Sequence, residues 1–187
     1  MVKNVYSATQ RIIMSLYNGN QVNRPVLAAL RNSKTLDDKQ AQKLWPYIFS
    51  ELDKESLSVT GKVTWEEKAV YTALRLYALH QQGKEELVYE KEHYLFTELG
   101  VLRKDESLRV ALDRRVQAIL ATNSVEAVIN GLTQIVQITK NKDARIKIDY
   151  PTLAANLLYF QSSSSAANSV RLSWGRQYYR IHFESKN

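Results

Sequence analysis

Residues 65–82 read WEEKAVYTALRLYALHQQ, and this stretch decides the fold. Its apolar residues do not keep to one side. Ala69, Val70, Ala73, Leu74, Leu76, Tyr77 and Leu79 ring a helix and leave a narrow polar strip of Lys68, Arg75 and Gln82. A helix apolar nearly all round is a buried one, so other helices must surround it. Thr64 is the expected N-cap, and Glu66 and Glu67 suit the positive end of the helix dipole. His80 falls on the apolar side and reads as a hydrogen-bonded core histidine, not as a ligand or base.

Helical periodicity continues outward in both directions. On the N-terminal side, residues 3–17 carry Val5, Ile12 and Leu16 on one face, and Asn18-Gly19-Asn20 ends the helix. Asn23 and Pro25 open a second helix through Val26, Leu27, Ala29 and Leu30. A third is expected over 38–52, bent at Trp45-Pro46, and residues 53–63 read as a loop. On the C-terminal side, residues 83–104 are charged and show no clear period. Residues 106–121 align Leu108, Leu112, Val116 and Ile119. Ser124 starts a helix through Val136, a basic link over 140–147 follows, and Asp149 with Pro151 opens a helix through Leu153, Leu157, Leu158 and Phe160. Ser162–Ser165 reads as a flexible loop before a last helix over 168–179. Only residues 145–148 alternate in the manner of a strand, too few to build a sheet. The expected fold is an all-α multi-helix bundle without significant sheet. It forms one helical domain over 1–187, either undivided or as packed sub-bundles over about 1–100 and 105–187, with a Ser-rich loop at 161–168.

Composition narrows the chemistry. The 187 residues include no cysteine, which removes disulfides, thiolate catalysis and cysteine-ligated zinc. No apolar run approaches the roughly 20 residues that cross a bilayer, and the first twenty residues lack a secretory pattern; a cytoplasmic location is expected. Phosphate-loop, dinucleotide-turn and paired-histidine motifs are missing, and the three histidines stand apart. The adjacent acids Asp37-Asp38, Glu66-Glu67 and Glu85-Glu86 point in different directions on a helix and read as surface or helix-start carboxylates. No catalytic residue, metal site or cofactor is expected.

Charge is the informative feature. The net charge is +7, but residues 1–36 hold five basic residues and no acid. Residues 37–100 are net acidic, and residues 101–187 hold thirteen basic against seven acidic residues. Such asymmetry bears on partners and not on fold. Several arginines on helices find no acid three or four residues away. Arg31 has Leu27, Ala28 and Lys34 as neighbours; Arg75 has Tyr71, Thr72, Ala78 and Leu79; Arg114 has none. Arg115 sits at the edge of an apolar stripe and is the arginine most expected to pair with a carboxylate distant in sequence. Arg176 and Arg180 stand four apart on one face, a repulsion that an anion would relieve. The planar, permanently charged guanidinium fork suits phosphate. Tyrosines and tryptophans could stack on bases, but most lie at core spacing, Trp174 and Tyr178 among them.

The segment 170–179, VRLSWGRQYY, resembles the C-terminal signature of the CasB family, the small subunit of the type I-E CRISPR surveillance complex Cascade. VLAALRNS at 26–33, ALRLYALH at 73–80 and LRVALDRRVQAIL at 108–120 are similar to family segments in the same order, as is the helix, basic link and short helix over 135–159. Arg31 is followed by Asn32 where the family often has a second arginine, and residues 83–104 match nothing. The resemblance implies an all-helical, non-enzymatic subunit that contacts the guide RNA–target DNA region and the displaced strand. It also implies partner subunits of the complex and a second copy of the chain. The expected nucleic-acid-binding residues are Arg31, Lys34, Arg75, Arg109, Arg114, Arg115, Lys140, Lys142, Arg145, Lys147, Arg171, Arg176 and Arg180. The alternative reading is a helical protein–protein adaptor without nucleic-acid contact.

Overall fold

The computed structural model describes residues 2–18, 21–142 and 145–180; Gly19 and Asn20 of the expected helix end, residues 143–144 of the expected basic link and His182 lie outside them. Among the described residues the chain runs through α1 (Val2–Leu16), β1 (Tyr17–Asn18), β2 (Gln21–Val22), α2 (Arg24–Asn32), α3 (Trp45–Glu51), α4 (Trp65–Gln81), α5 (Leu95–Leu102), α6 (Glu106–Leu120), α7 (Val125–Lys142), α8 (Tyr150–Ser162) and α9 (Ser164–Tyr179). The expected all-α class holds. The sheet is one two-residue antiparallel pair, β1 with β2.

The all-round apolar helix is indeed central. α4 packs against α1, α2, α7 and α8, while α8 also receives α1 and α9. α5 and α6 then lie on α9, and α6 on α7. Thr64 caps α4 as expected: its hydroxyl accepts from Glu67 N at 3.1 Å, and the Glu67 carboxylate accepts from Thr64 N at 2.8 Å. The other Glu67 oxygen accepts from Ser58 N at 3.1 Å, so this helix-start acid is buried and not a surface charge. On α9, Trp174 lies between Phe96 of α5 (4.8 Å between centroids, 19°) and Phe160 of α8 (6.3 Å, 13°). Trp174 and Tyr178 are core residues, as their spacing implied.

Three local expectations are corrected. The helix predicted over 38–52 is instead a 3₁₀ turn, Lys39–Leu44, followed by α3. Pro46 starts α3 and does not bend a longer helix, because its missing N–H belongs in a first turn. The serine tract is no flexible loop. α8 runs to Ser162, and Ser163 in extended backbone caps α9, its hydroxyl accepting from Ala166 N at 3.0 Å. Serine is a good N-cap, so a single residue makes the elbow. Within 83–104, Ile148 N donates to Val88 O (2.9 Å) and Asp149 N to His93 O (2.7 Å). Asp149, the cap of α8, also accepts from Glu92 N at 3.0 Å, so this segment is strapped to the start of α8 before α5 begins.

His80 is fully buried, with Nδ1 2.9 Å from the Tyr150 hydroxyl. Burial, aided by Lys84, Lys147 and Lys140, pushes its pKa down to about 3. The unfolded chain protonates this residue below its ordinary value of 6.5, whereas the folded chain resists until about 3. Stability is therefore unaffected at neutral pH and falls as pH drops through that window, by at most about 1.4 kcal/mol per pH unit. Urea unfolding between pH 7 and pH 4 should show this decline. His80→Gln, less stable at pH 7, should show a shallower one; equal slopes would contradict the assignment.

A Cβ on Gly131 would stand 2.5 Å from Cγ1 of the buried Ile119, so α7 meets α6 at a glycine contact. Gly131→Ala should destabilise the protein by about 1–3 kcal/mol through overpacking, outweighing the roughly 1 kcal/mol that alanine gains in a helix. Adding Ile119→Ala should cost less than the two single changes summed, a comparison made by denaturant titration.

Candidate nucleic-acid interface

The structure shows what the arginines do, and it differs from a plain ion-pair account. Each α-helix ends in carbonyls without an intrahelical donor. Arginines from neighbouring helices supply it. Arg31 on α2 donates to Ala78 O in the last turn of α4 (3.4 Å). Arg75 on α4 donates to Ser33 O, just past α2 (2.9 Å). Arg109 on α6 donates to Arg103 O, just past α5 (3.3 Å). Arg171 on α9 donates to Leu120 O, the last residue of α6 (3.1 Å), and to the Asn168 side chain. A cation is also favoured at this negative end of the helix dipole.

Carboxylates take a smaller part. Arg11 pairs with Glu51 at 2.5 Å and Arg103 with Asp113 at 2.7 Å, neither of them an expected binding residue. Arg103 holds Asp113 with both arms of its fork, and Tyr178 donates its hydroxyl to the same carboxylate at 2.7 Å. These donors, Arg103 first, keep the Asp113 pKa below its ordinary value. Among the described residues, Arg31, Arg75, Arg114, Arg115, Arg171, Arg176 and Arg180 have no carboxylate within ion-pair distance. Arg115 is a correction: it bridges to no distant acid but donates to Ala111 O of its own helix at 3.2 Å, leaving Nε buried and unpartnered.

The expected residues gather at two places. The first is the α6–α9 side. Arg114 and Arg115 face Gly131 and Gln134 of α7 across a shallow hollow of about 210 Å³. Beside α6, an open trough of about 830 Å³ runs along α9, lined by Leu120, Arg171, Leu172, Arg176, Tyr179 and Arg180. Arg114, Arg176 and Arg180 are exposed and make no side-chain hydrogen bond or ion pair among the described residues. The second place is the C-terminal end of α4. Arg24 and Arg31 line a groove of about 1010 Å³ with Lys84, Glu85 and Glu86. Lys140 donates to Gln82 (2.8 Å), and Lys147 lies 3.5 Å from Glu86. Burial pushes the Arg31 pKa down, yet a guanidinium stays charged at neutral pH.

The remaining expected residues stand apart. Arg75 is half-buried, with its fork held by Ser33 O and the Thr133 hydroxyl (3.3 Å), so it clamps α2, α4 and α7 together and is not an open cation. Lys34 is exposed near Asp38, which accepts its backbone N–H. Lys142, the last residue of α7, lies within electrostatic reach of Asp105, and Arg145 is exposed beyond it. Sequence reasoning missed Arg24 and Lys84 in the α4-end groove, although Arg24 belongs to the acid-free N-terminal block. It also missed Tyr179, whose signal is its position beside Tyr178. With Tyr178 in the core, the next residue turns about 100° away, toward the arginines. Among the described residues no group of acids and histidines could hold a metal ion, and no helix is long and apolar enough to cross a membrane.

Comparison with solved structures finds this arrangement of helices in a class of CRISPR-associated proteins. CasB from Thermobifida fusca superposes with a TM-score of 0.70 and 26% identity, covering 94% of this chain and 97% of that one. A Cse2-family CRISPR-associated protein from Thermus thermophilus shares the fold with a TM-score of 0.65 at 20% identity, covering 96% and 97%. A search of curated protein sequences finds no match. The family model for the CRISPR-associated protein Cse2 matches residues 26–179, and the chain belongs to that family.

Arg103→Ala would leave Asp113 half-buried with the Tyr178 hydroxyl as its remaining strong donor. The expected loss is about 1–3 kcal/mol of stability, larger at pH 7 than at pH 3, because below the ordinary aspartate pKa of 3.8 the unfolded chain takes up a proton that the guanidinium-held Asp113 resists, and that contribution shrinks. Equal losses at both pH values would contradict this role.

Proposed function

We propose that the chain is a non-catalytic subunit of a CRISPR RNA-guided surveillance complex of the Cascade type. It holds nucleic-acid backbone without reading sequence and so stabilises the loop formed when guide RNA pairs with target DNA. Membership of the Cse2 family supports the assembly. The observation that supports the binding is the set of exposed guanidinium groups, Arg114, Arg176 and Arg180, that have no acid partner among the described residues. Guide pairing supplies sequence discrimination, and the exchange of duplex for heteroduplex is nearly balanced. A protein in that setting need only add phosphate contacts to shift the balance. Arg115 and Arg171 extend the field around those contacts, Arg31, Lys140 and Lys147 add the cations at the end of α4, Lys34, Arg109, Lys142 and Arg145 contribute from elsewhere, and Arg75 acts as a structural clamp. The proposed partners are guide RNA, target DNA, the other subunits of the complex and a second copy of the chain.

The double variant Arg114→Glu/Arg176→Glu, incorporated into the complex, should weaken target binding by at least about tenfold at low salt. It should do so equally for targets of different base composition, with an unchanged melting temperature for the isolated chain. Unchanged affinity with normal incorporation would favour the adaptor reading, in which the basic surfaces meet acidic protein.

A further inference from the structure

The groove at the end of α4 is built differently from the trough on α9. Among the described residues no acid lines the trough. In the groove, one wall is the face of α2 that carries Arg24, Leu27 and Arg31, residues three and four apart and hence in a row. The other is the turn after α4, which carries Glu85 and Glu86. Both walls are tied down. The Tyr17 hydroxyl donates to Glu85 O at 2.9 Å, and Arg31 donates to Ala78 O at 3.4 Å. Lys84 also belongs to the turn, but its Nζ is buried, so the open charges there are the two carboxylates. Glu86 lies 3.5 Å from Lys147. Arg24 and Glu85 are exposed, and among the described residues neither side chain has a hydrogen bond or an ion pair.

A strand of phosphates entering this groove would be repelled by Glu85 and Glu86 while Arg24 and Arg31 attract it. A partner with charges of both signs meets no such conflict, and like-charge juxtaposition is how an interface rejects the wrong partner. Successive side chains of an extended segment point to opposite sides, so acids and bases at alternating positions face opposite walls at once. Resting on the reading of the chain as a subunit of a larger complex, we infer that the α4-end groove docks an extended segment of another protein subunit. An aspartate or glutamate of that segment lies against Arg24, and a lysine or arginine against Glu85. Arg31 adds positive field behind the acid, and the half-buried Tyr17 and Val22 offer apolar surface at the β1–β2 end. From Arg24 to Arg31 the wall is about 10 Å long, room for about three extended residues. The acidic wall disfavours nucleic acid here and keeps this second basic region for protein.

The test titrates the full chain onto the complex assembled without it, carrying guide RNA but no target DNA, and reads incorporation at low salt. Arg24→Glu and Glu85→Lys should each weaken incorporation by roughly tenfold, although the first removes positive charge and the second adds it. Neither residue has a partner within the described chain, so each variant should keep the wild-type melting temperature. If a reversal lowers it, the neutral Arg24→Gln and Glu85→Gln replace the reversals, each with a loss of roughly two- to fivefold. The sign of the effect at Glu85 decides between partners. Tighter incorporation of Glu85→Lys would mean that the groove meets phosphate, and unchanged incorporation of either variant would mean that it docks no such segment. Both results overturn the inference and leave the subunit reading standing. Failure of the wild-type chain to join the complex overturns the two together.

Discussion

A helix bundle of this length contains many helix C-termini, and each presents carbonyl oxygens that no helical N–H can reach. Here arginines from adjacent helices meet them: Arg31 at the end of α4, Arg75 after α2, Arg109 after α5 and Arg171 at α6. A carbonyl accepts a hydrogen bond but carries no net charge. The guanidinium is therefore fixed in place while its positive charge remains. Had aspartate or glutamate filled these positions, the same helices would be joined and the surface would be neutral. The way the ends are closed thus determines both the rigidity of the bundle and its residual field.

The core places those charges. α4 and α8 pack together at the centre, and α9 rests on α8 with Trp174 between Phe96 and Phe160. That stacking sets the rotation of α9. Trp174 and Tyr178 face inward, so Arg176, Tyr179 and Arg180 face outward. Asp113 keeps Arg103 against Tyr178, which ties the end of α5 to α6 and α9. The glycine contact at Gly131 brings α7 close to α6, beneath Arg114 and Arg115. The α9 trough and the groove at the end of α4 share no lining residue among the described residues.

Where the determinants are local, the sequence could be read directly. The ring of apolar residues on α4, the Thr64 cap, the Asn23-x-Pro25 start of α2 and the Asp149 cap of α8 all depend on neighbours within one turn. Readings failed where the partner lies far along the chain, or where composition and charge hid a local hydrogen bond. Residues 83–94 have no period of their own because the bonds from Ile148 and Asp149 hold them. The serine tract looked flexible by composition, yet it ends α8 and starts α9, with the Ser163 side chain as the cap. Arg75 and Arg115 looked like an open cation and an ion-pair partner. Their actual acceptors, backbone carbonyls and a threonine hydroxyl, leave no mark in a charge pattern. The family segments were recognisable, and the Cse2 match over residues 26–179 agrees with them. The Arg103 guanidinium 5.5 Å from the Tyr179 ring became visible only in the fold.

The account rests on guanidinium charge that meets no counterion among the described residues. Its most direct test is the salt dependence of target binding by the complex, measured with and without this subunit. Each phosphate that the subunit neutralises should steepen the plot of log affinity against log salt by about 0.7–0.9. Engagement of Arg114, Arg176 and Arg180 therefore predicts a difference in slope of about two or more. Parallel plots, with or without the subunit, would mean that these charges meet no nucleic acid.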